Sequence, residues 1–159
     1  SLVGARNAAG ATPLHLAAAN AYFHGMELLL ARGADAAAAD ARGRTPLMAA
    51  LASAEYAIDC IGFLASHGAQ VDGCDANGNT LLSVAAQNGL KRMSKMLLRK
   101  GAAVNAQNDR GQTVLHYCFK YGFLDLFHFL VRKGADETLL NRDGLTCYEG
   151  LNLADLESL

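Results

Sequence analysis

Residues 7–18 of this 159-residue chain read NAAGATPLHLAA, and the segment recurs in altered form along the sequence. The copies are DARGRTPLMAAL from residue 40, DANGNTLLSVAA from residue 75, NDRGQTVLHYCF from residue 108 and NRDGLTCYEGLN from residue 141. Their threonines, at positions 12, 45, 80, 113 and 146, are separated by 33, 35, 33 and 33 residues. A period of this length indicates an array of repeated structural units rather than a single globular enzyme fold.

Each of the first four units also contains an apolar run that ends in a second glycine, as in MELLLARGAD from residue 26. The G-x-T segment follows Asn or Asp and predicts a tight turn, in which glycine supplies the positive φ. The threonine precedes an apolar periodic run and is therefore expected to be a helix N-cap. Pro13 and Pro46, the only two prolines, fall at the first helical position, where a missing N–H costs nothing. Each unit is predicted to form a hairpin, a short helix, a turn and a second helix ended by glycine.

The segment TPLHLA at residues 12–17 resembles the T-P-L-H-x-A motif of the ankyrin repeat. The resemblance covers essentially the whole chain, because the motif, the period and the second glycine recur together. It implies an all-α repeat solenoid, in which helix-turn-helix units joined by β-hairpin loops form a single domain over residues 1–159. We expect repeats at about 7–39, 40–74, 75–107 and 108–140, and a partial repeat at 141–159.

The resemblance further implies a non-catalytic protein–protein interaction module without a cofactor. Partners of this family usually lie against the concave surface formed by hairpin tips and first helices. The tip residues that stacking does not dictate are Arg42, Arg44, Asn77, Asn79, Arg110 and Gln112. The corresponding candidate contact residues at the groove end of the first helices are Asn20, Tyr22, Gln87, Asn88, Lys120 and Tyr121. Because Arg and Tyr are enriched at interface hot spots, Arg42, Arg44, Arg110 and Tyr121 are the strongest candidates; the alternative is that these side chains are merely exposed.

The second repeat has two more residues than the others between its threonine and its second glycine. Its second helix keeps its apolar register when counted back from Gly68, so the insertion is expected within 52–58, in the first helix or the turn after it. Ala54, Glu55 and Tyr56 are predicted to project there, and Glu55 and Tyr56 are secondary contact candidates. A tolerated length variant with no role is the alternative.

Cysteine and histidine do not form a recognisable metal or catalytic pattern. Cys60, His67 and Cys74 are spaced seven apart, but no fourth ligand is evident. His116 and Cys118 are two apart on a predicted helix and would face different directions. We interpret Cys118 as a small buried hydrophobe. The ankyrin resemblance implies that His15 and His116, at the histidine position of the motif, are structural residues that bond backbone groups of neighbouring hairpins. Met48, Ser83 and Glu149 replace this histidine elsewhere, so the bonding network is expected to be broken there.

A basic edge is predicted on the second helices of repeats 3 and 4. It consists of Lys91, Arg92, Lys95, Arg99, Lys100, Arg132 and Lys133. Because the whole chain has a formal net charge of −1 and no aromatics alternate with these cations, we interpret the edge as a solvated outer face rather than a nucleic-acid site.

Composition places the chain among ordered proteins, since 52% of its residues are hydrophobic and 18% are charged. No run of about 18 uncharged apolar residues is present, so we expect no membrane insertion. Free thiols favour a reducing compartment, which predicts an intracellular, cytoplasmic or nuclear protein, and we expect a monomer.

Residues 3–7 align with 104–108, and there is no initiator Met. The alternative function is therefore a regulatory or targeting domain of a larger enzyme, channel or cytoskeletal protein.

Overall fold

The computed structural model describes residues 2–150, and contacts divide the chain into two compact units, Ser1–Ala76 and Asn77–Leu159. In the first unit, a 3₁₀ turn at Leu2–Gly4 precedes the helices α1 (Pro13–Ala19), α2 (Phe23–Ala31), α3 (Pro46–Ala49) and α4 (Ala57–Ser66). In the second unit, the helices are α5 (Leu81–Gln87), α6 (Lys91–Arg99), α7 (Val114–Lys120) and α8 (Leu124–Arg132). The all-α repeat class is thus confirmed, and no strand occurs among residues 2–150. Whether residues 1–159 act as one domain stays a prediction.

The first helix of each full repeat begins where the sequence predicts. Thr12, Thr45, Thr80 and Thr113 have extended backbone angles and occupy the N-cap position, and Pro13 and Pro46 are the first helical residues. The Thr80 hydroxyl accepts a hydrogen bond from Ser83 N at 3.2 Å. Such a cap satisfies one of the backbone donors that a helix start leaves unpaired.

Each unit has its own apolar core between the two layers of helices. Leu14, Met26, Leu47, Ile61 and Leu64 are completely or almost completely buried in the first unit. Their counterparts in the second unit are Leu81, Leu82, Leu97, Leu115 and Leu130. Each such side chain stabilises the folded state by about 1.5–3 kcal/mol relative to an exposed one. A helix pair alone could not bury these side chains, so the neighbouring repeats within each unit pack together.

The two extra residues of the second repeat lie in the turn between its helices. A 3₁₀ segment, Ala50–Tyr56, follows α3, and its backbone breaks at Ala54, where φ is 54°. Ala54 lies nine residues after its threonine, as the positive-φ residues Ala21, Gly89 and Gly122 do. The insertion is therefore Glu55 and Tyr56, which are exposed.

This region also contains the one stretch among the described residues that is long and apolar enough to cross a membrane, Pro46–Ser66, with a mean hydropathy of 1.5. In the structure the stretch is not one continuous helix, because the break at Ala54 separates α3 from α4. Of the 18-residue window with this hydropathy, 44% is buried. This buried part packs within the first unit. A core segment of a soluble protein passes the same hydropathy test, so this length carries little weight for a membrane span.

The terminal part-repeat is described only as far as Gly150. Residues 147–149 form a turn, in which Glu149 N and Gly150 N both donate to Thr146 O at 3.1 Å. The remainder of the predicted partial repeat at 141–159 lies outside the described residues.

Candidate functional site

The hairpin tips are shaped by an Asn or Asp side chain at their base. Asp40 Oδ1 accepts hydrogen bonds from Arg42 N and Arg44 N, both at 2.9 Å. Asn108 Oδ1 accepts from Arg110 N and Gln112 N, both at 3.0 Å. One carboxylate or amide oxygen thus satisfies two backbone donors of the turn. This fixes the path of the tip and leaves the Arg42 and Arg110 side chains exposed.

Adjacent tips are joined through their backbones within each unit. In the first unit Ala41 N donates to Ala9 O and Ala76 N to Arg42 O, both at 3.0 Å. In the second, Asp109 N donates to Asn77 O at 3.0 Å and Arg142 N to Arg110 O at 2.9 Å. The predicted contact residues Arg42, Asn77 and Arg110 therefore use their carbonyls to pack the tips together. The side chains of Arg42 and Arg110 are exposed.

His15 and His116 connect successive hairpins, as the sequence predicts. The His15 ring contacts Thr12 through Nδ1, at 2.9 Å from its hydroxyl, and reaches Arg44 O through Nε2 at 2.8 Å. His116 repeats this arrangement with Thr113, and its Nε2 lies 3.1 Å from Leu145 O. Both ring nitrogens of each histidine are engaged, which supports a structural role.

The three replacements of this histidine differ in what they retain. Met48 has no ring nitrogen, and the Ser83 hydroxyl bonds the Thr80 hydroxyl at 3.0 Å. Glu149 Oε2 accepts from both the backbone and the hydroxyl of Thr146, at 3.0 and 2.9 Å. Glu149 therefore keeps the local half of the arrangement, which the expectation of a broken network did not include.

The second unit brings six predicted contact residues to one open hollow of about 350 Å³. They are Asn77, Asn79, Gln87, Arg110, Lys120 and Tyr121. Asn108, Asp109 and Tyr117 complete the lining. We call this region the tip-and-helix hollow, because its lining comes from the tips of two successive hairpins and from the helices α5 and α7 and the residue after α7.

A network of amides and one phenol forms the base of the tip-and-helix hollow. Asn108 Nδ2 donates to Asn79 Oδ1 at 2.9 Å and to the Tyr117 hydroxyl at 2.6 Å. Burial raises the pKa of Tyr117, although the Asn108 and Gln87 bonds oppose this, so its phenol is neutral at pH 7. At the rim, Lys120 Nζ lies 5.5 Å from the centroid of the Tyr121 ring. The hollow therefore offers hydrogen-bonding groups at its base and cations at its edge.

Sequence reasoning missed Asn108 and Tyr117 as members of this site. Asn108 was assigned only to the turn, yet its amide faces the hollow. Tyr117 occupies the helix position that holds Leu16, Ala49 and Val84 in the earlier repeats. The replacement of an aliphatic side chain by a phenol at this position is the sequence feature that could have identified Tyr117 as a site residue.

The candidates in the first unit are less concentrated. Asn20 and Tyr56 both line a second hollow of about 380 Å³. The other candidates of this unit do not line it; they are Tyr22, Arg42, Arg44 and Glu55. Arg44 is held by its own hairpin, because its guanidinium pairs with the buried Asp40 carboxylate at 2.8 Å. The Asn20 amide donates to Leu16 O at 2.8 Å and so also caps α1. These contacts leave Arg42 as the freest of the predicted tip arginines in this unit.

Asn88, in the second unit, repeats the Asn20 contact, since its amide donates to Val84 O at 2.8 Å. Gln112 is half-buried and its backbone N–H is bound to Asn108. Both residues thus have roles within the fold that the sequence did not reveal.

The cysteines differ in their surroundings. Cys60, Cys118 and Cys147 are buried, whereas Cys74 is exposed. Burial raises the pKa of the Cys118 thiol to about 12, which disfavours the thiolate that a nucleophile would need. Among residues 2–150, no three His, Cys, Asp or Glu side chains are grouped as a metal site would require.

Comparison with protein families decides the assignment. A model described as ankyrin repeats (3 copies) matches residues 2–73 and again residues 51–141. The chain belongs to the ankyrin-repeat family. Ankyrin repeats are generally protein–protein interaction modules and are typically non-catalytic. Which of the tip and helix residues contact a partner stays a prediction.

Proposed function

We propose that this chain is a non-catalytic, intracellular and monomeric ankyrin domain that binds a protein partner across its hairpin tips and first helices. The observation that carries the proposal is the tip-and-helix hollow, where six independently predicted residues converge. An open polar hollow with an aromatic rim suits a protein surface better than a buried small-molecule pocket, which is usually enclosed and apolar.

The chemistry of the hollow suits a peptide segment with hydrogen-bonding groups. Gln87, Arg110 and Lys120 line the hollow with side chains that can form hydrogen bonds to a backbone or a polar side chain. Arg110 and Tyr121 are residue types that contribute strongly to interfaces, because each combines a large contact surface with a polar end. Neither is tied by an ion pair to another residue between 2 and 150.

The test is partner capture by the double variant Arg110→Ala, Tyr121→Ala. The wild-type chain, immobilised, is used to capture partners from a lysate of the source cells, and the captured protein is identified and purified. We expect the double variant to weaken its binding by at least about tenfold, since single hot-spot truncations cost about 2 kcal/mol or more. Asp59→Ala, a change at an exposed residue of α4 outside the hollow, should leave the affinity unchanged.

Thermal unfolding distinguishes the site from the fold. Exposed substitutions usually change stability by only about 0.5 kcal/mol, so the double variant should melt close to the wild type. Unchanged affinity with an intact fold would refute the proposed site. A large loss of stability would show instead that Arg110 and Tyr121 belong to the packing between repeats.

A second candidate function is a regulatory or targeting domain within a larger protein. An apolar groove of about 650 Å³ on the first repeat, lined by Leu16, Leu28 and Tyr22 among others, favours it. These side chains are 49%, 39% and 57% exposed, and an adjoining element would remove them from water. If so, a longer chain with its native flanking sequence should protect this groove from hydrogen exchange, and equal exchange would argue against it.

A further inference from the structure

The basic edge lies on the exposed side of α6 and at the end of α8, the second helices of the two repeats in the second unit. Lys91, Lys95 and Arg99 recur at every fourth residue of α6 and are all exposed. Residues at this spacing lie on one face of a helix. Arg132 and Lys133, also exposed, continue the edge at the end of α8.

None of these cations forms an ion pair with a carboxylate that the structure describes. Within residues 2–150, the ion pairs are His24 with Glu27 and Arg44 with Asp40, so no basic-edge residue is paired. Asp125 lies at the opposite end of α8 from Arg132. Within the described part of the chain, the edge therefore presents several positive charges without an ion-pair partner.

A hollow of about 280 Å³ interrupts the basic edge between α6 and α8. Its floor contains Leu98 and Phe129, which are half-buried. Lys95 Nζ and Lys133 Nζ lie 5.5 and 5.8 Å from the centroid of the Phe129 ring, and Arg99 completes the lining. An apolar floor is thus surrounded by three cations.

We propose that the basic edge binds an extended acidic segment of a partner protein, which seats one apolar side chain on Leu98 and Phe129. Carboxylates on either side of that side chain pair with Lys95, Arg99 and Lys133. The spacing supports this, because cations four residues apart on a helix are about 6 Å apart along its axis. Alternate residues of an extended chain are about 6.6 Å apart, so acidic residues at every second position match α6.

Two other polyanions fit less well. Residues 77–159 contain ten Lys or Arg but also eight Asp or Glu, a weak excess for nucleic-acid binding, and Phe129 is recessed rather than free to stack on a base. A membrane surface would be engaged by protruding apolar side chains, whereas Leu98 and Phe129 lie at the bottom of the hollow. A peptide side chain can enter that hollow while its backbone stays outside.

The test uses the full chain and a short fluorescein-labelled peptide of alternating Glu and Ser with one central Leu. Binding is followed by fluorescence anisotropy. Lys95→Glu should weaken binding by about tenfold or more, because like charges then face each other. Lys95→Arg, which keeps the charge, and Arg142→Glu, a matched charge reversal outside the basic edge, should bind as the wild type does.

Three results would overturn the proposal. One is equal loss of affinity in Lys95→Glu and Arg142→Glu, which would indicate a non-specific charge effect. Another is equal binding of a peptide with Gln in place of Glu or Ala in place of Leu. The third is tighter binding of a DNA duplex, or of phosphatidylserine-containing vesicles, than of the acidic peptide. Unaltered thermal unfolding of each variant shows that affinity, and not folding, is being compared.

Discussion

At the scale of single residues, Asp40 shows how one side chain supports the tip of a hairpin. Its carboxylate is buried, accepts two backbone hydrogen bonds and pairs with Arg44 Nε and Nη2 at 2.9 and 2.8 Å. Burial alone would raise the pKa of Asp40, but the bonds from Arg44 and Arg42 outweigh it and lower that pKa below the ordinary 3.8. The ionised carboxylate is therefore favoured by folding.

This linkage predicts a pH dependence for Asp40→Asn. Asn occupies the same position in repeats 1, 4 and 5, so the variant should keep the backbone bonds and lose only the pairing with Arg44. Because the folded pKa is lowered, the carboxylate stabilises the wild type above about pH 3.8, and the effect is lost as pH falls through the folded pKa. Urea unfolding at pH 7 should show the variant less stable by about 1 kcal/mol.

The difference between the two proteins should then shrink as the pH is lowered below the unfolded value. Asp40→Ala, which also removes the acceptor for Arg42 N and Arg44 N, should be less stable than Asp40→Asn at every pH. A wild-type advantage that grows on acidification would contradict the assigned direction of the pKa shift.

Residue-level prediction succeeded where one local interaction decides the outcome. The N-cap threonines were identified because their bonds lie within one motif. The two bridging histidines were identified from the ankyrin resemblance, since their Nε2 atoms reach carbonyls of the next hairpin. Arg44 was ranked as a contact residue, yet its guanidinium is held by Asp40. The sequence shows an Arg four residues after an Asp but does not show that the carboxylate is buried and that the turn places the two together.

At the scale of elements, the hairpin tips pack more closely than their sequence suggests. Gly43 has a φ of +76°, and a Cβ built there would lie 2.5 Å from Ala76 N. Glycine is thus required by the neighbouring tip as well as by the turn. The sequence predicted only the need for positive φ, because the approach of the next hairpin is a tertiary contact.

Comparison of two alanine variants separates these requirements. Gly33 has a φ of +83°, but a Cβ there would meet nothing within 4 Å. Gly33→Ala should cost about 1–2 kcal/mol from backbone strain alone, and Gly43→Ala should cost about 1–3 kcal/mol more because of the clash. Chemical denaturation measures both, and equal losses would mean that the tip contact is not tight in solution.

The turns between helices were only partly predictable. Gly89 and Gly122 have positive φ and belong to the residue type that favours such turns, but Ala21 and Ala54 adopt φ of 54° at the equivalent positions. Alanine carries no signal for this conformation, which here is imposed by the helices on either side. The insertion was bounded correctly within residues 52–58, and the break at Ala54 narrows it to Glu55 and Tyr56.

At the scale of the whole molecule, binding specificity depends on the exposed side chains that the repeat pattern does not determine. The period fixes the caps, tips and core of each repeat, so the side chains between these fixed positions are free to vary. The tip-and-helix hollow uses such positions, and the ankyrin family as a whole supports a protein partner. Which partner binds depends on the chemistry of these exposed side chains, and many sequences are compatible with the same fold.

Hydrogen–deuterium exchange of the chain with and without its captured partner tests the central claim most directly. Exposed tip amides exchange quickly in the free protein, so their protection is easily measured. We predict that the partner protects residues 76–80 and 109–113 together with the ends of α5 and α7, whether or not an acidic segment also protects the basic edge on α6 and α8. Protection confined to α6 and α8, with the tips exchanging as in the free chain, would contradict the proposed binding face.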